Sequence, residues 1–127
     1  MRRRRLQPLV LVALADAAAE GIADVLKHVI GGRRPHLAHP LVSIPHSAAF
    51  PSGHAATSFA CATVLSMLVP RAAPAFYLLA AAIAYSRLYV GVHWPLDVVG
   101  GAALGLVTAL LLLSEVRHLS RGRRRRG

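Results

Sequence analysis

The 127-residue sequence contains one cysteine, Cys61. A single thiol excludes an internal disulfide framework and a zinc module built on several thiolates. Aromatic residues are scarce, three Phe, three Tyr and one Trp, although 55% of the chain is hydrophobic. Ala, Leu and Val therefore carry the apolar content. Five acidic residues face 15 Lys and Arg, and none of the five lies in the loop between Lys27 and Pro51. The length leaves room for one domain. A mean hydropathy of +0.51 is high for a soluble domain. The composition points to a small integral membrane protein and away from a soluble basic nucleic-acid binder.

The position of the charge says more than its total of +10. Nine of the 15 basic side chains lie in two tails, Arg2 to Arg5 and Arg121 with Arg123 to Arg126. The body between them is almost neutral. Arginine runs can attract nucleic acid or acidic lipid, but beside spanning helices their commoner role is to hold chain ends on the cytoplasmic side. No nucleic-acid partner is expected, and residues 1–5 and 117–127 read as basic tails of a single membrane-embedded domain covering 1–127.

Four apolar stretches are separated by turn residues: Leu6 to Lys27, His54 to Val69, Pro74 to Tyr89 and Asp97 to Val116. At 1.5 Å per residue these cover roughly 24–33 Å, close to the hydrocarbon thickness of a bilayer. The expected fold is an all-α, polytopic transmembrane helix bundle with about four spanning helices. Two arginine tails on one side require an even number of spans. Arg71, in the second connection, then also lies inside, and the other two connections lie outside. The expectation is a multi-pass protein of the cell membrane with both termini cytoplasmic. In the first stretch Asp16, Glu20 and Asp24 form a stripe at i, i+4, i+8 that should face protein or water, with Lys27 and His28 in reach of Asp24. The rival reading of this stretch is a signal peptide cleaved near Ala17-Ala18-Ala19. Gly101 and Gly105 form a Gly-x-x-x-Gly pair that fits close helix packing, within one subunit or in a homodimer.

Three polar clusters fall at the expected outer face. Lys27 is followed after six residues by Arg34-Pro35. Pro51-Ser52-Gly53-His54 opens the second helix. Ser86-Arg87 is followed after five residues by His93, and after three more by Asp97. Taken singly each has an ordinary explanation: interfacial anchors for Lys27 and Arg34, a helix cap for Ser52, an interface turn for His93-Trp94-Pro95. Taken together they are a chemical set. Three cations suit a tetrahedral oxyanion such as phosphate. A helix N-terminus at Ser52-Gly53-His54 adds backbone N–H groups, and Gly53 lets the backbone approach an anion. His93 and His54 can act as nucleophile and proton carrier, and Asp97, four residues on, can orient His93.

These motifs resemble the tripartite signature of the type 2 phosphatidic acid phosphatase superfamily, Lys-x6-Arg-Pro, Pro-Ser-Gly-His and Ser-Arg-x5-His-x3-Asp. Every defined position is met between Lys27 and Asp97. The resemblance implies His93 as the nucleophile that forms a phosphohistidine, Asp97 as its orienting partner and His54 as general acid and then base. It implies Lys27, Arg34 and Arg87 as a clamp on the phosphoryl oxygens, with Ser52 and Gly53 as further phosphate donors, and neither metal nor other cofactor. Membrane members of the family usually have about six spans; the expectation here is that the two preceding the first motif's helix are lacking. Arg33 adds a cation that the signature does not require.

The leading expectation is a metal-independent phosphatase acting on a membrane lipid phosphate or pyrophosphate, of prenyl phosphate, phosphatidic acid or phosphatidylglycerol phosphate type. The alternative is a truncated relative that binds lipid or supports a partner, and vanadate-dependent halide oxidation is a third reading. His36-x2-His39 provides half of a metal site, without Cys or acidic residues nearby to complete it.

Overall fold

The computed structural model describes residues 2–37 and 39–125, with side chains from 7 to 122, and all regular structure among the described residues is helical. Helix α1 runs Arg2–Ile30, α2 Gly53–Leu68, α3 Ala73–Tyr89 and α4 Pro95–Arg125, with a 3₁₀ turn at Pro70–Ala72. The four helices match the four apolar stretches. The outer two are longer than expected, because α1 takes in the arginines before Leu6 and α4 continues past Val116. Arginine is a good helix former, so both tails prolong helices instead of forming separate segments as far as Arg125.

The stops are set by backbone chemistry. α1 ends at Gly31 and Gly32, with φ of +73° and +127°, and α3 is followed by Gly91 at +71°. α2 begins at Ser52, whose Oγ accepts the Ala55 N–H at 3.4 Å, the capping role expected of it. α4 begins with Pro95, which needs no N–H there, and Asp97 in its first turn accepts the Trp94 N–H at 2.8 Å.

α2 is the centre of the bundle and packs on each of the other three helices, while α1 and α3 flank it without touching one another. Its core is built mostly from alanine. Ala15, Ala19 and Ala23 of α1 repeat every four residues and meet Ala56, Ala60 and Val64 of α2 and Ala109 of α4, all fully buried. Leu11 and Val12 pack there with Leu112 and Leu113, so the start of α1 lies beside the far half of α4. Side chains this small let backbones approach, and the Gly-x-x-x-Gly pair completes the contact. A Cβ on Gly105 would collide with the Ala56 carbonyl oxygen and stand 3.0 Å from the Ala60 nitrogen; one on Gly101 would collide with the Ser52 carbonyl oxygen. The pair therefore joins α4 to α2 inside one chain. The same contact carries a hydrogen bond from Ser52 N–H to the Asp97 carbonyl at 2.9 Å, which fixes the start of α2 against the start of α4.

Only α4, from Pro95 to Gly122, is both long and apolar enough to cross a membrane by length and composition among the described residues; α2 is apolar but has 16 residues. α1 has the length, but its acidic stripe and arginines lower its hydropathy.

Gly105→Ala is expected to destabilise the folded protein by about 1–3 kcal/mol, because the clash is with backbone that cannot rotate away. Gly21 has open space around it, so Gly21→Ala should be neutral or stabilising by up to about 1 kcal/mol. Thermal unfolding of both variants in detergent checks the pair; equal melting temperatures would contradict the packing described.

Candidate active site

At the end of the bundle where α1 stops and α2 and α4 start, a cavity of about 250 Å³ is lined by Lys27, Arg34, Gly53, His54, Arg87 and His93. Six of the eight expected site residues thus converge. They come from the last turn of α1, the α1–α2 loop, the first turn of α2, the end of α3 and the α3–α4 turn.

Lys27 donates to Asp24 Oδ1 at 2.9 Å, one turn earlier on α1. Its ammonium nitrogen lies 3.4 Å from where a Cβ on Gly53 would stand. That is an ordinary contact distance, and it places this cation over the N-terminus of α2, where backbone N–H groups already favour an anion.

Arg34 is bound more completely. Its Nε donates to the Ser47 carbonyl at 2.9 Å, and Nη2 donates to Ser47 Oγ at 3.1 Å and the Ala48 carbonyl at 3.3 Å. Nη1 donates to the Val92 carbonyl at 2.8 Å and lies 3.2 Å from His93 Nε2. A guanidinium has five donors and no acceptor, so the contact with Nε2 has one sense: Arg34 donates and Nε2 accepts. His93 therefore keeps its lone pair on Nε2 and carries its proton on Nδ1. Nδ1 lies 3.5 Å from Asp97 Oδ2, close enough for electrostatic attraction but without a hydrogen bond, and the same oxygen accepts the Trp94 N–H. Trp94 also ties the first motif to the third, donating from Nε1 to the Arg33 carbonyl at 3.1 Å. The Arg33 side chain itself is exposed.

Two expected residues stand behind the cavity instead of in its wall. Ser52 is 0% exposed, and its hydroxyl oxygen caps α2. Asp97 is buried behind His93. Arg87 is half-buried, with Nε donating to Ser86 Oγ at 3.3 Å. The wall also holds residues that sequence reasoning did not select, notably Ser47 and Thr57. Nothing distinguishes Ser47 in the sequence, because its value comes from meeting Arg34 thirteen residues away. Asp16 and Glu20 of the acidic stripe also line the cavity, and Asp16 Oδ1 lies 3.8 Å from Cys61 Sγ. No group of three His, Cys, Asp or Glu converges as a metal site among the described residues, so His36 and His39 acquire no third ligand there.

Burial lowers the pKa of His93, the Arg34 guanidinium lowers it further, and the Asp97 carboxylate opposes both. The neutral ring therefore persists below the ordinary imidazole value. With a lowered folded-state value, the folded protein binds fewer protons than the unfolded chain, so stability is lost as pH falls below about 6.5. Burial also lowers Arg34, with Asp97 opposing.

The PAP2 superfamily matches residues 8–120 of the chain. The decaprenylphosphoryl-5-phosphoribose phosphatase of Mycobacterium tuberculosis is 33% identical over 127 residues, covering 97% of this chain and 69% of that protein. The lipid A 1-phosphatase of Rhizobium johnstonii is 37% identical over 98 residues, covering 71% of this chain and 40% of that protein. Among solved structures, Aquifex aeolicus LpxE superposes with a TM-score of 0.74 at 32% identity, covering 87% of this chain and 69% of that one. The first transmembrane PAP2 type phosphatidylglycerolphosphate phosphatase from Bacillus subtilis gives 0.65 at 31% identity, covering 86% and 59%.

The His93 environment predicts a titration order. In the wild type its imidazole should titrate below about 6.5. Asp97→Asn removes the opposing carboxylate and should move it lower still, whereas Arg34→Gln removes a cation and should move it up. Histidine NMR resonances followed against pH, with His93 assigned by substitution, give the three midpoints; the reverse order would contradict the geometry.

Proposed function

The chain belongs to the PAP2 superfamily, and from that premise we propose that it hydrolyses a phosphomonoester or pyrophosphate of a membrane lipid through a phosphohistidine on His93, without a metal ion. The observation that carries the reading is the convergence of Lys27, Arg34 and Arg87 with His54 and His93 around one cavity. Phosphoryl transfer is mainly a matter of positioning and charge stabilisation, and three fixed cations supply the charge.

The steps follow from the donor arrangement. An entering phosphoryl group brings oxygens that compete for the Nη1 donor of Arg34. As that donor turns to the substrate, the Nε2 lone pair of His93 is released and attacks phosphorus. The bond from phosphorus to the leaving oxygen breaks, and protonated His54 gives its proton to that oxygen. His54, now neutral, takes a proton from water as the water attacks phosphorus. The P–N bond then breaks, returning its electron pair to His93 and releasing phosphate. Asp97 steadies the positive charge that His93 carries while it is phosphorylated. Gly53 contributes a backbone N–H at the start of α2; Ser52 contributes by holding that turn in place.

The four helices cross the bilayer in this reading, with both termini cytoplasmic and the cavity at the outer face. Supporting it, the arginine-bearing ends of α1 and α4 and the turn with Arg71 lie at the end of the bundle away from the cavity. A lipid substrate fits this placement, its phosphate among the cations and its tail in the hydrocarbon. Prenyl phosphates or pyrophosphates, phosphatidic acid and phosphatidylglycerol phosphate are the candidate classes, and the named relatives act on lipid-linked phosphates of related kinds.

Phosphate release from a panel of such lipids, in detergent with EDTA, tests the proposal. Wild type should release phosphate with EDTA present and His93→Ala should release none. His54→Ala should slow release by roughly 10²–10⁴-fold. Release that requires a divalent metal, or that survives in His93→Ala, would overturn it.

A further inference from the structure

A second cavity, of about 270 Å³, lies at the other end of the bundle, between the end of α2 and the last turns of α4. Its two halves differ in chemistry. Met67, Leu110 and Leu113 line its apolar side, with Met67 and Leu110 46% and 56% exposed, and Arg117, His118 and Arg121 line its basic side, with Ser114 also in the wall. Arg117 and Arg121 are four residues apart on α4, so their guanidinium groups share one helix face. Neither meets a carboxylate within 4.0 Å among the described residues. The sequence reading treated these arginines as part of a tail that marks topology; the structure gives them a cavity.

The distance from the catalytic site decides what the cavity can hold. Twenty residues of continuous helix separate Asp97 from Arg117, about 30 Å at 1.5 Å per residue. That is the thickness of the hydrocarbon layer. A headgroup in the first cavity cannot reach the second. A ligand of the second must bring an anionic group for the arginines and an apolar portion for Met67, Leu110 and Leu113. A free anion would leave Met67, Leu110 and Leu113 unfilled, and a neutral lipid would leave two arginines unanswered.

We propose that this cavity binds an anionic phospholipid of the leaflet opposite the catalytic site, its phosphodiester held between Arg117 and Arg121 and the upper part of an acyl chain lying over Met67, Leu110 and Leu113. Bidentate guanidinium contacts suit phosphate oxygens, and anionic lipid is the ordinary partner of basic segments at a membrane surface. The binding does not depend on turnover, so it stands or falls independently of the hydrolytic reaction. The lipid holds the ends of α2 and α4 together on the side where Gly101 and Gly105 no longer do so.

Native mass spectrometry of the full chain in uncharged detergent tests this, with phosphatidylglycerol, phosphatidylcholine and inorganic phosphate as probes. The wild type should retain one phosphatidylglycerol in preference to phosphatidylcholine, and inorganic phosphate should not displace it. The double variant Arg117→Gln/Arg121→Gln should weaken retention by about tenfold or more. Arg123→Gln/Arg126→Gln, which removes the same charge from the same tail without a position three or four residues from Arg117 or Arg121, should weaken it less than about threefold. Arg34→Gln, in the catalytic cavity, should leave it unchanged. Circular dichroism and an unchanged thermal unfolding midpoint show that the Arg117/Arg121 variant is folded. Equal losses in the two tail variants would overturn the proposal in favour of diffuse attraction to the basic tail. Loss in Arg34→Gln would assign the lipid to the catalytic cavity, displacement by inorganic phosphate would reduce the site to an anion site, and equal retention of phosphatidylcholine would remove the role of the arginines; each of these also overturns it.

Discussion

Every donor of the Arg34 guanidinium is engaged: three with Ser47 and Ala48 in the α1–α2 loop, one with the Val92 carbonyl and one with His93 Nε2. One side chain thereby joins a long irregular loop, the α3–α4 turn and the His93 ring. Among its described residues the loop contains no helix or strand of its own, and a long connection of that kind needs a fixed partner to hold one shape. The same contact decides the histidine tautomer, since a guanidinium can only donate. Position, protonation and reactivity of His93 therefore depend together on Arg34. The arrangement also explains how a cation can serve the resting protein and the reaction. In the proposed reaction, the Nη1 donor that meets Nε2 at 3.2 Å is the one that a phosphoryl oxygen takes over.

That hub works only because two helices are brought unusually close beneath it. Gly101 and Gly105 of α4 lie directly on the α2 backbone, and the Ser52 amide bonds to the Asp97 carbonyl. The start of α2, which presents Gly53 and His54, is thus fixed against the start of α4, which carries Asp97. Alanines at every fourth position of α1 bring Lys27 to the same end. Small residues in the packed interior and large charged ones at the mouth are two sides of one design, because a site made of cations needs backbones close enough to converge.

Much of this was legible in the sequence. The helices appeared as apolar stretches because Gly31-Gly32, Pro70 and Gly91 interrupt them. The clusters around Lys27, Ser52 and His93 stood out because cations, histidines and a carboxylate are costly beside apolar spans unless they have work to do. Long-range geometry was not legible. Ser47 is an ordinary loop serine until Arg34 folds onto it. Ser52 looked like a phosphate ligand, but the close approach of Gly101 buries it and leaves its hydroxyl oxygen to cap the helix. The acidic stripe was expected to face protein or water, and Asp16 and Glu20 do line the cavity; that they share it with His54 and Arg87 depends on the rotation of α1 about its axis, which the sequence does not show. Arg117 and Arg121 read as a topological tail because the end of α2, which closes their cavity, lies some fifty residues away in the chain.

The central claim is that phosphate passes through a covalent bond to His93. The most direct measurement is an alkaline quench during steady turnover of the lipid phosphate hydrolysed fastest, followed by peptide mass spectrometry, because a phosphoramidate survives base and is lost in acid. The account predicts a base-stable, acid-labile phosphate on the peptide containing His93, detectable also in His54→Ala, where both its formation and its release are slowed. Phosphate on another residue, or sustained turnover with the His93 peptide unmodified in both proteins, would contradict it.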